Sequence, residues 1–421
     1  MRAEINRPIL TIISRVKRLG EVSGVFTVRS QQDGNFVPTL VIGGGQAGLS
    51  VGYHLAKRGL PFLILDANAH VGDAWRNRWD SLRLFTPARY ASLDGMRFPA
   101  SGGSFPTKDD MADYLAEYAR RFRLPVRNGA KVSRLWKEGD KFVVLTGHER
   151  LRANNVVVAM ANYQTPRVPA FAPDLSPDVV QVHSQYYRNP SQLREGGVLI
   201  VGLGNSGADI AVEVARTHQV WVSGKESGHI PWPIESFAGR NILFRAVRFL
   251  GHNVITVGTP IGRKLRPKLL HRATPLIRVK PHDLTIAGIE RVPKTTGTLN
   301  GRPLLEDGRV MNVSNVIWCT GYQHGFRWIH LPIFGQNGSG DPVHEKGVVP
   351  NVPGLYFVGL HFLTAMSSAT LIGVGRDAKR IVKIIESRSR SGRRDRLQLR
   401  ECQDAKELAE FLAPQDQARI A

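Results

Sequence analysis

Two glycine-rich turns constrain this chain more than any other feature of its sequence. They read Gly43-Gly44-Gly45-Gln46-Ala47-Gly48 and Gly202-Leu203-Gly204-Asn205-Ser206-Gly207, and are called here the first and second glycine turns. Each follows an apolar run typical of a strand and precedes an amphipathic helix. In such a turn the first glycine permits the bend, the second lets the backbone approach a pyrophosphate, and the third lets helix and strand pack closely. Two turns therefore predict two dinucleotide sites.

The first glycine turn has the complete pattern around it. A strand over Thr39–Ile42 precedes it, a helix over Gln46–Lys57 follows, and a second strand over Phe62–Leu65 ends at Asp66. An acid at this offset can accept hydrogen bonds from a ribose. The alternative is a glycine loop in an ordinary strand-helix-strand unit, which would leave Asp66 unexplained.

The second glycine turn ends differently. Its strands are predicted at Val198–Val201 and Val220–Val222, with a helix over Asn205–Thr217 between them. No acid follows the second strand; Ser223 and Lys225 stand there instead. A hydroxyl and a cation favour a nucleotide 2′-phosphate, which predicts NADPH. The alternative for Lys225 is a solvated surface lysine.

The charge balance is strongly basic. The 421 residues, enough for two domains, carry 57 Lys and Arg against 35 Asp and Glu, a net charge of +22. Ten basic and no acidic residues lie between Arg240 and Lys280, and a second basic cluster spans 388–396. Such runs can bind nucleic acid or anionic lipid, but no nucleic-acid-binding motif accompanies them. We expect a solvated basic surface that attracts anionic cofactors, and no nucleic-acid partner.

Both ends of the chain and its cysteines bear on location. Residues 1–36 combine apolar residues at near-helical spacing with Arg and Lys, which indicates a flexible basic extension with an amphipathic helix as the alternative. Weak peripheral membrane contact through the basic termini is an alternative that this pattern leaves open. Cys319 and Cys402 are far apart, without the spacing of a disulfide framework or metal site, which fits a cytoplasmic protein. The sequence predicts no oligomeric state and no metal site.

Further elements complete the predicted architecture. A helix over Lys108–Phe122 starts at the N-cap Thr107, and a hairpin turns at Glu138-Gly139-Asp140. Further predicted strands and a final helix follow, at Val156–Met160, Val316–Trp318 and Leu355–Val358, and from Ser367 or Ser368 onward. The fold class predicted is α/β with two Rossmann-like dinucleotide-binding domains.

Several longer segments resemble those of flavin-containing monooxygenases of the bacterial flavoprotein type, which are related to plant auxin-synthesis monooxygenases and Baeyer-Villiger enzymes. The segments are 71–87, 202–209, 318–322 and 353–359. The resemblance implies an FAD domain with an NADPH domain inserted in it. It divides the chain into an extension (1–36), the first part of the FAD domain (37–165), the NADPH domain (166–315), the second part of the FAD domain (316–387) and a basic tail (388–421).

The resemblance also implies roles for individual residues. The ADP half of FAD would lie against Gly43, Gly45, Gln46, Ala47, Gly48 and Asp66, with Val132 at the adenine. Trp75, Arg76, the segment 84–87, Gly359 and the helix after Ser368 would approach the flavin ring. NADPH would be held by Gly202, Gly204, Asn205, Ser206, Gly207, Ser223 and Lys225. The catalytic candidates are His183 and Arg76. Core packing of Trp75, surface ion pairs of Arg76 and a structural linker role of His183 are the alternatives.

The family pattern is only partly kept. His183 and Tyr187 match the monooxygenase fingerprint before the second glycine turn, but Pro177 and Val179 replace its aromatic residue and glycine. The resemblance implies that NADPH reduces FAD and that a flavin C4a-hydroperoxide passes one oxygen atom from O2 to a small organic substrate. The alternatives are an NADPH oxidase or reductase without oxygen transfer, and a flavin-bound regulatory or interaction module. A dithiol reductase is disfavoured because no C-x-x-C pair is present.

Overall fold

The computed structural model describes residues 35–225, 228–271, 274–323, 325–335 and 340–391. The predicted extension before residue 35 and the tail after 391 lie outside the described residues. From Val37 onward the chain forms one unit, which holds all the sheets described below. Within the described parts of the chain, no helix is long and apolar enough to cross a membrane.

The secondary structure alternates between strands and helices. The strands are β1 (Thr39–Ile42), β2 (Leu63–Leu65), β3 (Val126–Arg127), β4 (Val132–Glu138), β5 (Lys141–Thr146), β6 (Glu149–Ala153), β7 (Asn155–Val158), β8 (Thr165–Pro166), β9 (Val180–His183), β10 (Val198–Val201), β11 (Val220–Ser223), β12 (Glu290–Val292), β13 (Thr295–Leu299), β14 (Arg302–Leu305), β15 (Asn315–Trp318), β16 (Tyr322–Gln323) and β17 (Leu355–Phe357). The helices are α1 (Gln46–Ala56), α2 (Asp73–Arg76), α3 (Lys108–Arg121), α4 (Asn205–Val214), α5 (Phe244–Phe249), α6 (Pro260–His271), α7 (Pro281–Ile286) and α8 (374–391).

The first sheet is parallel and draws its strands from both ends of the described chain. Its order is β17, β7, β1, β2, β3. Every residue of β1, β7 and β17 is buried, as expected where both faces of a parallel sheet are covered. Helix α3 shares a buried apolar cluster with this sheet and begins at the predicted N-cap Thr107, in a capping box in which Thr107 and Asp110 each bond the other's backbone.

The second sheet is also parallel, with the order β12, β11, β10, β15, β9. Strand β15 pairs along its whole length with β10, residue Asn315 opposite Val198. The predicted domain boundary at 315/316 is therefore wrong, since it cuts through a strand of the second sheet. Residues 316–318 belong with the second glycine turn, and the chain leaves this sheet only after Trp318. Both sheets together confirm the α/β class.

Two short crossings join the sheets. The outgoing segment forms β8 and the returning segment forms β16, and these two strands pair with each other antiparallel. The segments that link the two parallel sheets are thus hydrogen-bonded into one hinge. A separate antiparallel sheet, β4-β5-β6, contains the predicted hairpin, with Gly139 in the left-handed region at φ 59°.

A helical stretch that the sequence patterns did not predict lies between β11 and β12. Residues 237–254 are helical throughout, with π-helical turns at Gly239–Leu243 and Leu250–Val254 on either side of α5. Helix α6 follows after a short turn. The predicted final helix begins later than expected, because residues 369–373 form turns and helical geometry starts at 374.

Candidate functional site

The first glycine turn has room for a ligand at one position only. Gly43 lies at φ 107°, a region that favours glycine, and a Cβ on Gly48 would lie 1.8 Å from the carbonyl oxygen of Gly43. A Cβ on Gly45 would meet no protein atom within 4 Å. Gly45 is also the N-cap of α1, and no side chain caps that helix. The free N–H groups of α1 and the open space at Gly45 form a cradle that fits a phosphate group.

Asp66 lies where the spacing predicted, beside the first glycine turn. The backbone N–H of Gly44 donates a short hydrogen bond to its Oδ2. The backbone N–H and the side-chain Nδ2 of Asn68 donate to its Oδ1, at 2.7 and 2.8 Å. Asn68 was missed from the sequence, although an Asp followed two residues later by Asn is a typical turn signal. These bonds fix a buried carboxylate, 7% exposed, next to the cradle.

The returning segment meets the same helix end. Gly359, at φ 86°, follows β17, and a Cβ there would lie 2.9 Å from the Cβ of Ala47. Ser368 lies buried in the turn before α8, where its Oγ accepts hydrogen bonds from the N–H groups of Thr364 and Ala365 at 3.0 Å. The structure therefore brings together residues predicted from two distant parts of the chain.

Three more predicted residues have contacts of different kinds. The indole Nε1 of Trp75 donates to Gln46 Oε1 at 3.2 Å, which ties α2 to the start of α1. The Arg76 guanidinium pairs with Asp73 at 2.7 Å and Asp113 at 2.9 Å, which is the ion-pair alternative raised above. Val132 begins β4 and packs at the edge of the core between the first sheet and the antiparallel sheet.

The second glycine turn repeats the geometry of the first. Gly202 lies at φ 109°, and a Cβ on Gly207 would lie 2.0 Å from the carbonyl oxygen of Gly202. A Cβ on Gly204 would meet nothing within 4 Å, and no side chain caps α4. Ser206 is half-buried in the first turn of α4. This is a second cradle for phosphate.

The surroundings of the second cradle differ from prediction at Ser223 and Asn205. Ser223 is 1% exposed; its Oγ bonds the carbonyl of Pro293 at 2.9 Å and the hydroxyl of Thr295 at 2.7 Å, and it accepts from the Thr295 N–H at 2.8 Å. The Ser223 hydroxyl is thus saturated inside the protein, and the prediction that it contacts a 2′-phosphate does not fit this geometry.

The side chain of Asn205 is also engaged within the protein. Its Nδ2 donates to the carbonyl of Pro275 at 3.0 Å, and its Oδ1 accepts from Ile277 at 2.8 Å. The amide therefore positions the segment beside the second cradle, and only its backbone faces the turn. Lys225 lies exposed beyond β11.

His183 lies at the hinge, with both ring nitrogens engaged by backbone. Nδ1 accepts from the N–H of Gln185 at 3.0 Å, so Nε2 carries the proton that it donates to the carbonyl of Gly321 at 3.0 Å. Burial lowers the pKa of His183 below its ordinary value, which keeps the ring neutral. This geometry does not support proton transfer to a substrate and matches the structural alternative for His183.

A polar cluster at the hinge was not predicted. Arg78 Nη1 donates to Gln185 Oε1 and to the Tyr322 hydroxyl, both at 2.7 Å. The Tyr322 hydroxyl also donates to Gln185 Oε1 at 2.8 Å. Because Arg78 follows α2 and Tyr322 lies in β16, these bonds connect the segment after α2 to the returning crossing.

Arg278 is a second connection that sequence reasoning missed, having assigned it to a basic surface. Its guanidinium donates to the carbonyls of Arg83 at 3.1 Å and Leu84 at 2.8 Å, and lies 5.2 Å from the ring centre of Phe85. It also lies 3.8 Å from Asp209 in α4. Burial raises the pKa of Asp209 to about 6, although Arg278 opposes the shift. Arg278 therefore connects the helix of the second cradle to segment 84–87.

Metal and thiol chemistry find little support in the described residues. There, no group of three or more His, Cys, Asp or Glu side chains is placed to hold a metal ion. Burial raises the pKa of the Cys319 thiol to about 12, so little thiolate forms near neutral pH.

Comparison with known proteins agrees with this geometry. Residues 40–230 match the family model described as pyridine nucleotide-disulphide oxidoreductase. An uncharacterized CzcO-like oxidoreductase of Geobacillus kaustophilus (strain HTA426) is 39% identical over 353 residues, covering 83% of this chain and 99% of that protein. The indole-3-pyruvate monooxygenase YUCCA8 of Oryza sativa subsp. japonica is 27% identical, over 83% of this chain and 90% of that protein.

A solved structure extends the likeness to the fold. The flavin-containing monooxygenase from Stenotrophomonas maltophilia superposes with a TM-score of 0.66 at 29% identity, covering 84% of this chain and 99% of that chain. This likeness confirms the resemblance drawn from the sequence segments. With a relative matched over nearly its whole length as well, the chain belongs to the CzcO-like, flavin monooxygenase-like oxidoreductases.

Proposed function

We propose that this flavoprotein-family oxidoreductase is an NADPH-dependent monooxygenase that binds FAD in the first cradle and NADPH in the second, and that oxygenates a small organic molecule with O2. The observation that carries the proposal is the pair of open positions, Gly45 and Gly204, each at an uncapped helix N-terminus. Such a pair suits two dinucleotides. The named activities of the relatives support the same class of reaction.

The first cradle suits a permanently held FAD. The N–H groups at the start of α1 would bond the pyrophosphate, and the carboxylate of Asp66 would accept from a ribose hydroxyl. Asp66 is already fixed by Gly44 and Asn68, so little order would be lost when the nucleotide binds. Gly359 would keep the returning segment against the start of α1, because a side chain there would collide with Ala47.

The second cradle suits an exchangeable NADPH. The N–H groups at the start of α4 would bond its pyrophosphate. Since the Ser223 hydroxyl is saturated, Lys225 is the remaining candidate among the predicted residues for the 2′-phosphate. Asn205 would act indirectly, by holding residues 275–277 beside the cradle.

Bound FAD would supply the redox chemistry, taking electrons from NADPH and reacting with O2. The chain's own contribution is position. Arg278 fixes segment 84–87 relative to α4, so the two cradles keep a constant geometry. Arg76 would act as a fixed cation paired with two carboxylates, and His183 as a support of the hinge. Neither is assigned a proton transfer.

The test is a comparison of NADPH consumption with peroxide release, in the FAD-loaded protein. We would add thioanisole, as a thioether probe, or cyclohexanone, as a ketone probe, and quantify the sulfoxide or lactone. Oxygenated product with less than one peroxide per NADPH would support the proposal. One peroxide per NADPH with every probe would identify an oxidase and overturn it. A purified protein that binds no flavin would remove the basis of both.

A further inference from the structure

Exposed apolar side chains are concentrated between residues 237 and 270, the region that contains the helical stretch 237–254 and helix α6. Within the described residues, sixteen large apolar side chains are exposed, and eight of them lie between residues 237 and 270. Four are more than half exposed: Phe237 at 76%, Ile242 at 62%, Phe249 at 60% and Ile261 at 55%. The others are Val247, Leu250, Leu269 and Leu270. We call these eight residues the apolar face.

The apolar face belongs to a well-anchored element. Phe244 stacks on Tyr90 with ring centres 4.9 Å apart. The backbone of Val257 donates to Thr364 at 2.9 Å, and that of Met366 donates to Ile255 at 3.0 Å. Because the inner side of the stretch is fixed by packing and hydrogen bonds, the exposure of its outer side is a stable property of the fold. A concentration of exposed apolar side chains on an anchored element marks an interaction surface.

Positive charge surrounds the apolar face. Exposed cations interleave with it at Arg245, Arg248, Arg263, Lys264 and Lys268. The sequence from Arg240 to Lys280 contains no Asp or Glu. Helices that combine large apolar residues with Lys and Arg lie in the interface of anionic membranes, where the side chains enter the headgroup region and the cations meet lipid phosphates.

Two other occupants fit the same surface less well. A second copy of the chain in a two-fold dimer would bring the same patch onto itself, so these cations would face one another without acids from this stretch. Nucleic acid would match the cations, but phosphates offer nothing to exposed Ile and Leu side chains. The combination of charge and apolar area selects a lipid surface.

We infer that residues 237–270 form a peripheral membrane-binding surface specific for anionic lipids. The surface shares no residue with the two cradles. It lies on the element that packs against Tyr90 and residues 364–366, and neither cradle belongs to this element. Lipid binding would therefore not use the residues of either cradle.

The test is co-sedimentation of the full-length, FAD-loaded protein with vesicles. One set of vesicles is phosphatidylcholine alone, and the other contains about one quarter phosphatidylglycerol. We expect binding to the anionic vesicles that weakens when NaCl rises from ~50 to ~500 mM, and little binding to phosphatidylcholine. The triple variant Ile242→Ser, Phe249→Ser, Ile261→Ser should lower the partition coefficient by about tenfold or more. The matched control, Ile286→Ser, Leu299→Ser, Val310→Ser, changes exposed apolar residues elsewhere and should bind as the wild type does.

A charge variant tests the same surface without altering its apolar residues. Arg245→Gln, Lys264→Gln, Lys268→Gln should also lower binding by about tenfold, whereas Arg97→Gln, Arg121→Gln, Lys131→Gln should not. Equal loss in both charge variants would overturn the inference, since attraction would then follow net charge alone. Loss only with Arg393→Gln, Arg394→Gln, Arg396→Gln would assign binding to the tail and overturn it as well. If Arg245→Gln, Lys264→Gln, Lys268→Gln changed the oligomeric mass or the affinity for a DNA duplex, but not vesicle binding, this result would also overturn the inference.

Discussion

The two glycine turns share a backbone and differ in what surrounds it. In both, the outer glycines are required by close contacts between helix and strand, and the middle glycine faces open space. Beside the first stands a buried carboxylate bonded to the turn itself. Beside the second, Gly224 stands at the position that matches Asp66, and the hydroxyl of the preceding residue, Ser223, is turned inward and bonded to Pro293 and Thr295. The turn thus provides a phosphate cradle, and its neighbours determine which nucleotide is suited and how firmly it is held.

The last glycine of each turn tests the geometry that the two turns share. The methyl added by Gly48→Ala would lie 1.8 Å from a backbone carbonyl oxygen, and that added by Gly207→Ala would lie 2.0 Å from one. Both distances are far shorter than a non-bonded contact allows. We expect each variant to lose more than ~3 kcal/mol in the free energy of unfolding. Urea unfolding measures this. The control is Gly297→Ala, where the added methyl meets nothing within 4 Å and stability should hold. A stable Gly207→Ala variant would contradict the shared geometry.

Acidic residues distinguish the two helices: α1 contains none, while α4 contains Asp209 and Glu213, whose pKa values are both raised by burial. Asp209 is the more buried of the two. Its pKa is raised to about 6 by burial, so ionisation of Asp209 opposes folding. Its contribution to the free energy of unfolding is complete below about pH 4 and falls as the pH rises to about 6, by at most ~3 kcal/mol. The stability of the wild type minus that of Asp209→Asn should therefore decrease between pH 4 and 6.

Urea unfolding at several pH values checks this prediction. Asp178→Asn is an opposite-sign control, because hydrogen bonds to Ser176 and Arg302 lower the pKa of Asp178. Its contribution should increase with pH. If the difference in stability between the wild type and Asp209→Asn did not change with pH, the carboxylate would be better solvated than its 10% side-chain exposure indicates.

The open position in each turn tests which nucleotide that turn binds. Gly45 and Gly204 have extended backbones that alanine adopts freely, at φ −78° and −97°, and a methyl there meets no protein atom. Both variants should therefore fold, with the methyl occupying phosphate space. We expect Gly45→Ala to weaken FAD binding about 100-fold, and Gly204→Ala to weaken NADPH binding by a similar factor while FAD stays bound. Flavin fluorescence titration and steady-state NADPH kinetics measure the two effects. Exchange of the two outcomes would reverse the assignment of the cradles.

The smallest expected effect concerns the 2′-phosphate. Lys225→Ala should raise the KM for NADPH about fivefold and leave that for NADH unchanged, because it removes one exposed charge-assisted contact. Ser223→Ala should leave both constants unchanged, since its hydroxyl is already saturated. Lys131→Ala, an exposed lysine in the first part of the chain, is the control for charge alone. Equal changes for NADPH and NADH would argue against the assignment of Lys225.

The sequence predicted those parts of the site that depend on local signals. Glycine spacing, apolar runs and the Thr107 capping box are written within a few residues, and the structure keeps all of them. The partners of Ser223 could not be predicted, because Thr295 lies 72 residues away and reaches it only through the sheet. For the same reason β15 was assigned to the wrong side of the boundary, since its pairing with β10 is not local.

Charged residues were the hardest to interpret from sequence. Arg278 looked like one of ten basic residues on a surface, yet its guanidinium bonds the backbone of another segment. His183 fitted a family pattern, but a pattern does not specify what its two nitrogens face. In both cases the side chain's function depends on carbonyl groups whose position only the folded chain provides.

The pairing of β17 with β7 has a consequence for biosynthesis. Nearly 200 residues separate the two strands, and the whole second sheet lies between them. On the ribosome, β1, β2 and β7 emerge long before β17, so the first sheet waits with an unpaired edge while the inserted residues fold. A chain truncated before residue 355 would keep the second glycine turn complete but expose that edge. Translation arrested in this interval should therefore leave an aggregation-prone nascent chain. Once β17 emerges and pairs with β7, the exposed edge should be covered.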